Sequence, residues 1–253
     1  MTGTLLSSEN LCAGYRREVL HNISVGFSGG EITSIIGPNG SGKSTLLKAL
    51  IGIVPKSGGS ILVGGTPIEK LSAAAVARRV AYLPQSKKIP ELSVMTMVLH
   101  GRFAHLSYPR RYRREDIVAA ERALRMTGLS ELAGESISTL SGGTQQRVFL
   151  AMALAQDSPV ILMDEPTSFM DISHRIKLME LCRELADSGR AVVSVLHDLP
   201  MALKYSDKTM VLSEGTLRAV GSPEEVFRSG ILDIVFGIKL KRTETETGLL
   251  YYY

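Results

Sequence analysis

The sequence predicts an α/β fold whose core is a mixed, mostly parallel sheet, with an N-terminal antiparallel β subdomain and a helical subdomain inserted at roughly residues 90–157. Three observations carry this. A β-branched run, Glu31-Ile32-Thr33-Ser34-Ile35-Ile36, feeds a glycine-rich loop and then a helical stretch at 44–50. Two short apolar β runs, 160–163 and 191–196, flank helical spacing at 173–186, the βαβ pattern of parallel strands. Strand-like patches at 5–13, 22–27, 32–36 and 60–63 alternate with glycine pairs in the N-terminal third.

Taken in order, the patches are broken by Gly29-Gly30, Gly58-Gly59 and Gly64-Gly65. The last two pairs read as hairpin turns, so a mostly antiparallel layer is expected. A strand at 80–83 ends at Pro84-Gln85. From about 90 to 157 helical spacing recurs at 94–101, 114–127 and 144–156 with no strong strand between, which defines the helical subdomain. Weak strands follow at 208–212 and 216–220 around Glu214-Gly215. A short helix at 223–227 starts from Ser222 as N-cap with Pro223 in first position. Repeats, low-complexity tracts and Pro/Gly/Ser linkers are absent, so residues 1–253 are expected to form a single domain.

Composition narrows the function. A 253-residue chain can bury most of its unfolded apolar surface, and a hydrophobic share of 44 % with scattered charge is ordinary. The richest apolar runs, 148–155 and 191–196, fall well short of the roughly 18 residues that cross a bilayer. Any membrane role must then run through a partner. The start, Met1-Thr2-Gly3-Thr4-Leu5-Leu6, lacks the basic flank and apolar core of a signal peptide, which points to the cytoplasm. Cys12 and Cys182 stand far apart with no second ligand pair, so two reduced thiols are expected rather than a metal site. A net charge of +4 is mildly basic and fits a solvated surface better than nucleic-acid binding.

The chemistry is concentrated in a few motifs. Gly37-Pro38-Asn39-Gly40-Ser41-Gly42-Lys43-Ser44-Thr45 is a P-loop in its required strand–loop–helix context, hence a P-loop NTPase core. Its glycines let backbone N–H groups turn inward as a nest for phosphate at a helix N-terminus. Lys43 is placed to reach the β- and γ-phosphates and Ser44 to ligate Mg²⁺. Val160-Ile161-Leu162-Met163-Asp164-Glu165 is an apolar strand ending in two carboxylates. Because strand residues alternate in direction, Asp164 is assigned to Mg²⁺ and Glu165 to polarising the attacking water. His197, after the strand 191–196, should surface at the same sheet edge and contact the γ-phosphate. Gln85 can ligate Mg²⁺ or the attacking water. Ser141-Gly142-Gly143 opens a second helix, with Val148, Met152 and Ala155 on one face, and a second glycine-flanked helix N-terminus attracts anions. Two nests suggest two sites combining around one ATP.

On these residues the chain resembles the nucleotide-binding subunit of ATP-binding cassette (ABC) transporters, over nearly its whole length. Residues 37–45 resemble the Walker A motif, Gln85 the Q-loop, Leu140-Ser141-Gly142-Gly143-Thr144-Gln145-Gln146-Arg147 the signature, Asp164 and Glu165 the Walker B motif with its catalytic glutamate, Ser168-Phe169-Met170-Asp171 the D-loop and His197 the switch histidine. The resemblance implies an ABC ATPase fold, ATP and Mg²⁺ as cofactors, and Tyr15 stacked on adenine. It also implies a head-to-tail homodimer in which Ser141 and Gly143 of one chain close on the γ-phosphate held by the other. Two departures stand out: Thr144 replaces the usual Gln or Glu, and Phe169-Met170 replaces a small residue and leucine. Both keep the contacting Ser, Gly and Asp residues. The segment Leu92-Ser93-Val94 through Val98-Leu99-His100-Gly101-Arg102, with Ala123-Leu124-Arg125-Met126-Thr127-Gly128-Leu129 and Asp171-Ile172-Ser173-His174, is similar to importers of iron-siderophores, haem and vitamin B12. That branch implies a transmembrane permease and, indirectly, a substrate-binding protein as partners, with the chain held peripherally at the cytoplasmic face of the cell membrane. Import of another metal or small solute is the nearest alternative. An ABC ATPase acting on nucleic acid is the more remote alternative, since such proteins usually carry coiled-coil insertions, zinc modules or a second cassette, and none is found here. The basic run Arg110-Arg111-Tyr112-Arg113-Arg114 has the charge to bind nucleic acid or phospholipid head groups, but is read first as a solvated loop of the helical subdomain near the membrane partner.

Overall fold

A computed structural model describes residues 3–85, 89–168, 170–245 and 248–253. Its centre is a six-stranded sheet in the order β10-β9-β3-β8-β7-β6, built from β3 (Ile32–Ile36), β6 (Val80–Leu83), β7 (Val160–Asp164), β8 (Ala191–Val195), β9 (Lys208–Ser213) and β10 (Thr216–Gly221). All neighbouring strands run parallel except the β10 edge, which pairs antiparallel with β9. Every residue of β3, β7 and β8 is buried. Continuous apolar runs of this kind are what a sheet covered on both faces requires.

One face packs on α1 (Lys43–Leu50) and on the N-terminal β layer, where β1 (Thr4–Gly14), β2 (Glu18–Ser28), β4 (Lys56–Val63) and β5 (Thr66–Pro67) form a second sheet in the order β2-β1-β4-β5. Leu46, Leu47 and Leu50 fill the space between Leu6, Phe27 and Ile61 on one side and Val160, Leu162 and Val193 on the other, all within 3 % of full burial. Each such side chain contributes about 1.5–3 kcal/mol, so α1 is clamped between two sheets. The other face carries α5 (Gly142–Ala155) and α6 (Ile172–Asp187) through Phe149, Leu150, Leu178 and Leu181. α5 also closes a helical cluster with α3 (Val94–His100) and α4 (Arg114–Met126), centred on Val94, Val98, Leu124 and Val148.

The antiparallel β layer and the helical segment are as expected, with two corrections. β3, grouped with the N-terminal patches by its position, leaves that layer and sits inside the parallel sheet between β8 and β9. Gly58-Gly59 is not a hairpin turn. It lies within β4 opposite a register shift between Glu9 and Cys12, and Gly59 has φ +75° with space for a Cβ only 2.3 Å from the Asn10 carbonyl oxygen. The pair is a bulge, where only glycine lets the two backbones approach. Gly64-Gly65 does make a two-residue hairpin between Val63 and Thr66, with φ +57° and +74°.

Four elements were not anticipated: α2 (Ala73–Ala77), α7 (Leu199–Tyr205), α9 (Ile231–Phe236) and a terminal hairpin of β11 (Lys241–Thr245) and β12 (Gly248–Tyr252). α7, α9 and the hairpin, with α8 (Pro223–Arg228), capped by Ser222 as expected, bury Ile36, Val211, Val226 and Tyr251 in a separate cluster, while α2 packs beside β6. Met1 and Thr2 of the leader reading, and Phe169 of the D-loop, lie outside the described residues.

Candidate active site

Because β3, β6, β7 and β8 are parallel, their carboxyl ends share one sheet edge, and the residues that follow each of them converge there. Such edges are where open α/β sheets bind ligands. A cavity of about 570 Å³ opens at this edge, lined by Val19, the loop and helix start at 39–45, Gln85, Glu165 and His197. That volume suits a small organic ligand.

The loop after β3 is held by geometry that side chains would spoil. Gly40 and Gly42 have φ +78° and +102°, and a Cβ on Gly37 would lie 2.0 Å from the Leu212 carbonyl oxygen. Among the described residues the N–H groups of Gly42, Lys43, Ser44 and Thr45 find no backbone acceptor, the normal state of a helix start. Ser41 Oγ is buried without a partner. Lys43 Nζ donates to the carbonyls of Gly37 and Pro38, each at 2.8 Å. A nest of free N–H groups with a buried lysine and an orphaned hydroxyl fits a polyphosphate.

Asp164 is buried at the end of β7. Ser44 Oγ donates to its Oδ1 at 2.8 Å, and the Tyr82 hydroxyl, from β6, donates to its Oδ2 at 3.3 Å. Burial raises the Asp164 pKa, opposed by these two hydrogen bonds, and the nearby Glu165 charge adds to the rise. Burial likewise lowers the Lys43 pKa, against the pull of Glu165 and Asp164. Both groups are therefore held in surroundings that disfavour their charge, a condition that a bound cation and a bound polyanion respectively relieve. The donor set, a hydroxyl, an amide and a carboxylate, is all oxygen, as Mg²⁺ prefers.

Asp164 and Glu165 do face different surroundings, but strand alternation is not the cause. β7 ends at Asp164, and Glu165 turns out of it with φ +52°. A non-glycine residue in this region is uncommon, though Asn10, Asn22, Asp157 and Glu214 share it, and for Glu165 it turns the carboxylate toward the cavity that it lines. Glu165 Oε1 meets His197 Nε2 at 2.6 Å, and Ser168 Oγ donates to Oε2 at 3.3 Å. Gln146, in α5, donates to the Pro166 carbonyl at 3.2 Å, tying the signature helix to the turn that carries Glu165.

Of the residues singled out in the sequence, Asn39, Gly40, Ser41, Gly42, Lys43, Ser44, Thr45, Gln85, Glu165 and His197 line the cavity. Gly37 and Pro38 support it through Lys43, and Asp164 lies beneath it. Tyr15 sits on the β1–β2 turn, 63 % exposed, and does not line the cavity, although Val19 of the same hairpin does. Ser141, Gly142 and Gly143 also stand apart from it. Ser141 caps α5 by accepting from Thr144 N at 3.3 Å. Sequence reasoning missed Tyr82, whose signal was one polar side chain in an otherwise apolar buried strand.

The comparisons with known proteins agree with this geometry. The family model for "ABC transporter" matches residues 20–168. The ferric enterobactin transport ATP-binding protein of Escherichia coli is 39 % identical over 92 % of this chain and 88 % of its own length. The iron(3+)-hydroxamate import ATP-binding protein of Bacillus subtilis is also 39 % identical, over 92 % and 88 %. A cobalamin import ATP-binding protein of Halobacterium salinarum is 38 % identical over 91 % of this chain and 58 % of its own. Among solved structures, an ABC transporter in an inward-facing conformation superposes with a TM-score of 0.85 at 27 % identity, covering 99 % of this chain and 96 % of that one. The dimeric cassette MJ0796 bound to ADP and Pi gives 0.76 at 27 %, covering 86 % and 98 %. The chain belongs to the ABC transporter family and is one of its ATPases.

Proposed function

We propose that this chain drives import of an iron chelate, haem or cobalamin, as a single cassette domain working in a homodimer beneath a transmembrane permease at the cytoplasmic face of the membrane. The observation that carries this is the division of these residues: the start of α1, Gln85, Glu165 and His197 surround one cavity, while the glycine-flanked start of α5 stands outside it in the same chain. A second chain, head to tail, would bring its Ser141, Gly142 and Gly143 to that cavity. The branch of importers is supported by the relatives named above and by the segment from Leu92 to Arg102.

Within the site, residues 37–45 would hold the ATP phosphates by backbone N–H groups and Lys43, and Tyr15 would flank the base. Mg²⁺, when bound, neutralises phosphate charge; Ser44 and Gln85 would hold it, with Asp164 behind Ser44. Glu165 orients and polarises water, and His197 positions Glu165 and meets the γ-phosphate side of the cavity. Ser168, beside Glu165, fixes the second carboxylate oxygen.

The test is assembly. Glu165→Gln should keep ATP binding, lower hydrolysis by at least about a hundredfold, and accumulate a symmetric dimer with ATP and Mg²⁺ in sedimentation. Adding Ser141→Arg should abolish that dimer and spare binding by the monomer. A double variant that still dimerises, or that loses monomer binding, rules out the shared site. For coupling, Gln85→Ala in proteoliposomes containing the permease should retain ATP binding but lose solute uptake and its stimulation by loaded binding protein. Normal uptake in that variant would remove Gln85 from the coupling path.

A further inference from the structure

The motif the ATPase function leaves unused is the basic run between α3 and α4. Between Arg102 and Asp116 five arginines face two carboxylates, a net +3 in a chain whose total is +4. One of those pairs is internal. Arg102 Nε donates to Asp116 Oδ1 at 3.0 Å, with both side chains almost buried, and the remaining carboxylate, Glu115, lies 3.9 Å from Arg113 on the surface. Arg110, Arg111 and Arg114 make no ion pair among the described residues.

The base of the loop is pinned while its outer part faces solvent. Arg102 Nη1 also donates to the Ala155 carbonyl at 3.0 Å, His105 Nε2 meets the Gln156 carbonyl at 2.9 Å, and Arg78 Nη1 donates to the Ala104 carbonyl at 2.9 Å. Arg113 N donates to Asp116 Oδ2 at 2.9 Å, closing the start of α4. Above this base, residues 107–115 are all exposed. The segment also carries a run of exposed apolar side chains: Phe103 at 48 %, Tyr108 at 97 %, Tyr112 at 37 %, Ile117 at 42 % and Val118 at 51 %. The Arg110 guanidinium lies 4.5 Å from the Phe103 ring centre. A solvated basic loop has no need of exposed Tyr, Phe, Ile and Val among its arginines. Arginines interleaved with aromatic and aliphatic side chains are what an anionic bilayer surface rewards, with charge on the phosphates and rings at headgroup depth.

We propose that the segment 103–118 docks on the anionic phospholipid headgroups of a bilayer. The contact needs no permease, so it stands or falls separately from the importer reading. Each basic side chain at such a surface contributes about fivefold in partitioning, about 1 kcal/mol. The three unpaired arginines together therefore contribute about a hundredfold, and the contact weakens as salt shortens the screening length below about 8 Å.

The experiment is flotation of the purified full chain with vesicles of phosphatidylcholine containing phosphatidylglycerol, against phosphatidylcholine alone. The chain should float only with the anionic vesicles. Arg110→Gln with Arg111→Gln and Arg114→Gln should lower partitioning about a hundredfold, and Tyr108→Ala should lower it several-fold, both with basal ATPase unchanged as the check on folding. A charge-matched control, Lys70→Gln with Lys239→Gln and Lys241→Gln, should change it much less. The proposal is overturned if the chain does not float, if the control loses as much as the arginine variant, if neutral vesicles bind equally, or if single-stranded DNA competes through the same three arginines with the higher affinity.

Discussion

Replacing Tyr82 by Phe tests the least obvious part of the site, because it removes one oxygen and leaves the ring. In the structure Asp164 is held at both oxygens, Oδ1 by Ser44 at 2.8 Å and Oδ2 by Tyr82 at 3.3 Å. A hydrogen bond to a charged group contributes about 1.5–3 kcal/mol, and the length of this one places it at the lower end. About 1.4 kcal/mol is a factor of ten, and partners of metal-holding groups typically cost 10- to 100-fold when lost. Tyr82→Phe should therefore raise the Mg²⁺ concentration that half-activates ATP hydrolysis about tenfold. Turnover at saturating Mg²⁺ should stay within about twofold, because the phenol donates to Asp164 and is not itself part of the cavity lining. Nucleotide affinity measured in a chelator should not move. A Mg²⁺ titration of steady-state hydrolysis, paired with nucleotide calorimetry without metal, reads all three. An unchanged Mg²⁺ requirement, or a loss of turnover that excess Mg²⁺ does not rescue, would refute the assignment of Tyr82 as the residue that orients Asp164.

The remaining predictions follow from the same buried charge and from one close approach. Asp164→Asn should stabilise the metal-free protein at neutral pH while removing Mg²⁺-dependent hydrolysis. The sign follows from the raised pKa: the folded state binds the Asp164 proton more tightly than the unfolded chain, so its stabilising contribution is full below the ordinary carboxylate range and is lost as pH rises through the folded value. Denaturant midpoints of the two proteins should thus converge in acid and separate toward pH 7; a midpoint lower for Asn at neutral pH would contradict the burial argument. Gly101→Ala should cost about 1–3 kcal/mol by thermal or chemical unfolding, since a Cβ there would sit 2.1 Å from the Met152 carbonyl oxygen where α3 crosses α5. An alanine tolerated without loss would mean the helical segment is looser than its packing indicates.

The parts of this molecule that were legible in the sequence are those where a local rule and the global fold agree. The 37–45 loop announces itself because its φ values of +78° and +102° demand glycine at Gly40 and Gly42, and no packing partner can override that demand. β7 and β8 announce themselves by unbroken apolar runs, because both of their faces are covered. Ser222 caps its helix as read from the sequence, because side-chain chemistry at that position is local. The failures occur where the deciding contact is distant. Gly58-Gly59 looks like a turn from its own strand and becomes a bulge only because Asn10, some fifty residues away, comes within reach of the missing Cβ. α7 has an Asp198 cap and a proline in its first turn, but at 7 residues it has little periodicity to detect, and burial of Leu199 and Leu203 against Ile36 and Val211 stabilises it. Tyr82 was missed as a functional residue because the one polar side chain of β6 does not by itself reveal that β7, its neighbour in the sheet, ends in Asp164.

The charged side chains at the floor of the cavity already have partners within the chain: Lys43 on the Gly37 and Pro38 carbonyls, Asp164 on Ser44 and Tyr82, Glu165 on His197. A nucleotide phosphate meets them by exchange. Each new bond to Lys43 replaces bonds of similar strength, and the net gain per bond is about 0.5–1.5 kcal/mol rather than the 4–6 kcal/mol of an isolated hydrogen bond. The groups with nothing to give up are the N–H donors at the start of α1 and the buried Ser41 hydroxyl. Affinity for phosphate therefore resides chiefly in the backbone of the loop, and the side chains are left to discriminate between states. Glu165 holds His197 at Oε1 and accepts from Ser168 at Oε2, so a water that reaches the carboxylate meets it with both oxygens already oriented. Any group that moves this turn would change how the carboxylate meets water, and the helix opened by Ser141 is tied to it, since Gln146 of α5 donates to the Pro166 carbonyl directly beyond Glu165. Displacement of α5 by a partner would reach the Glu165 carboxylate through two residues, Gln146 and Pro166, and so would couple the second glycine-flanked helix end to the cavity.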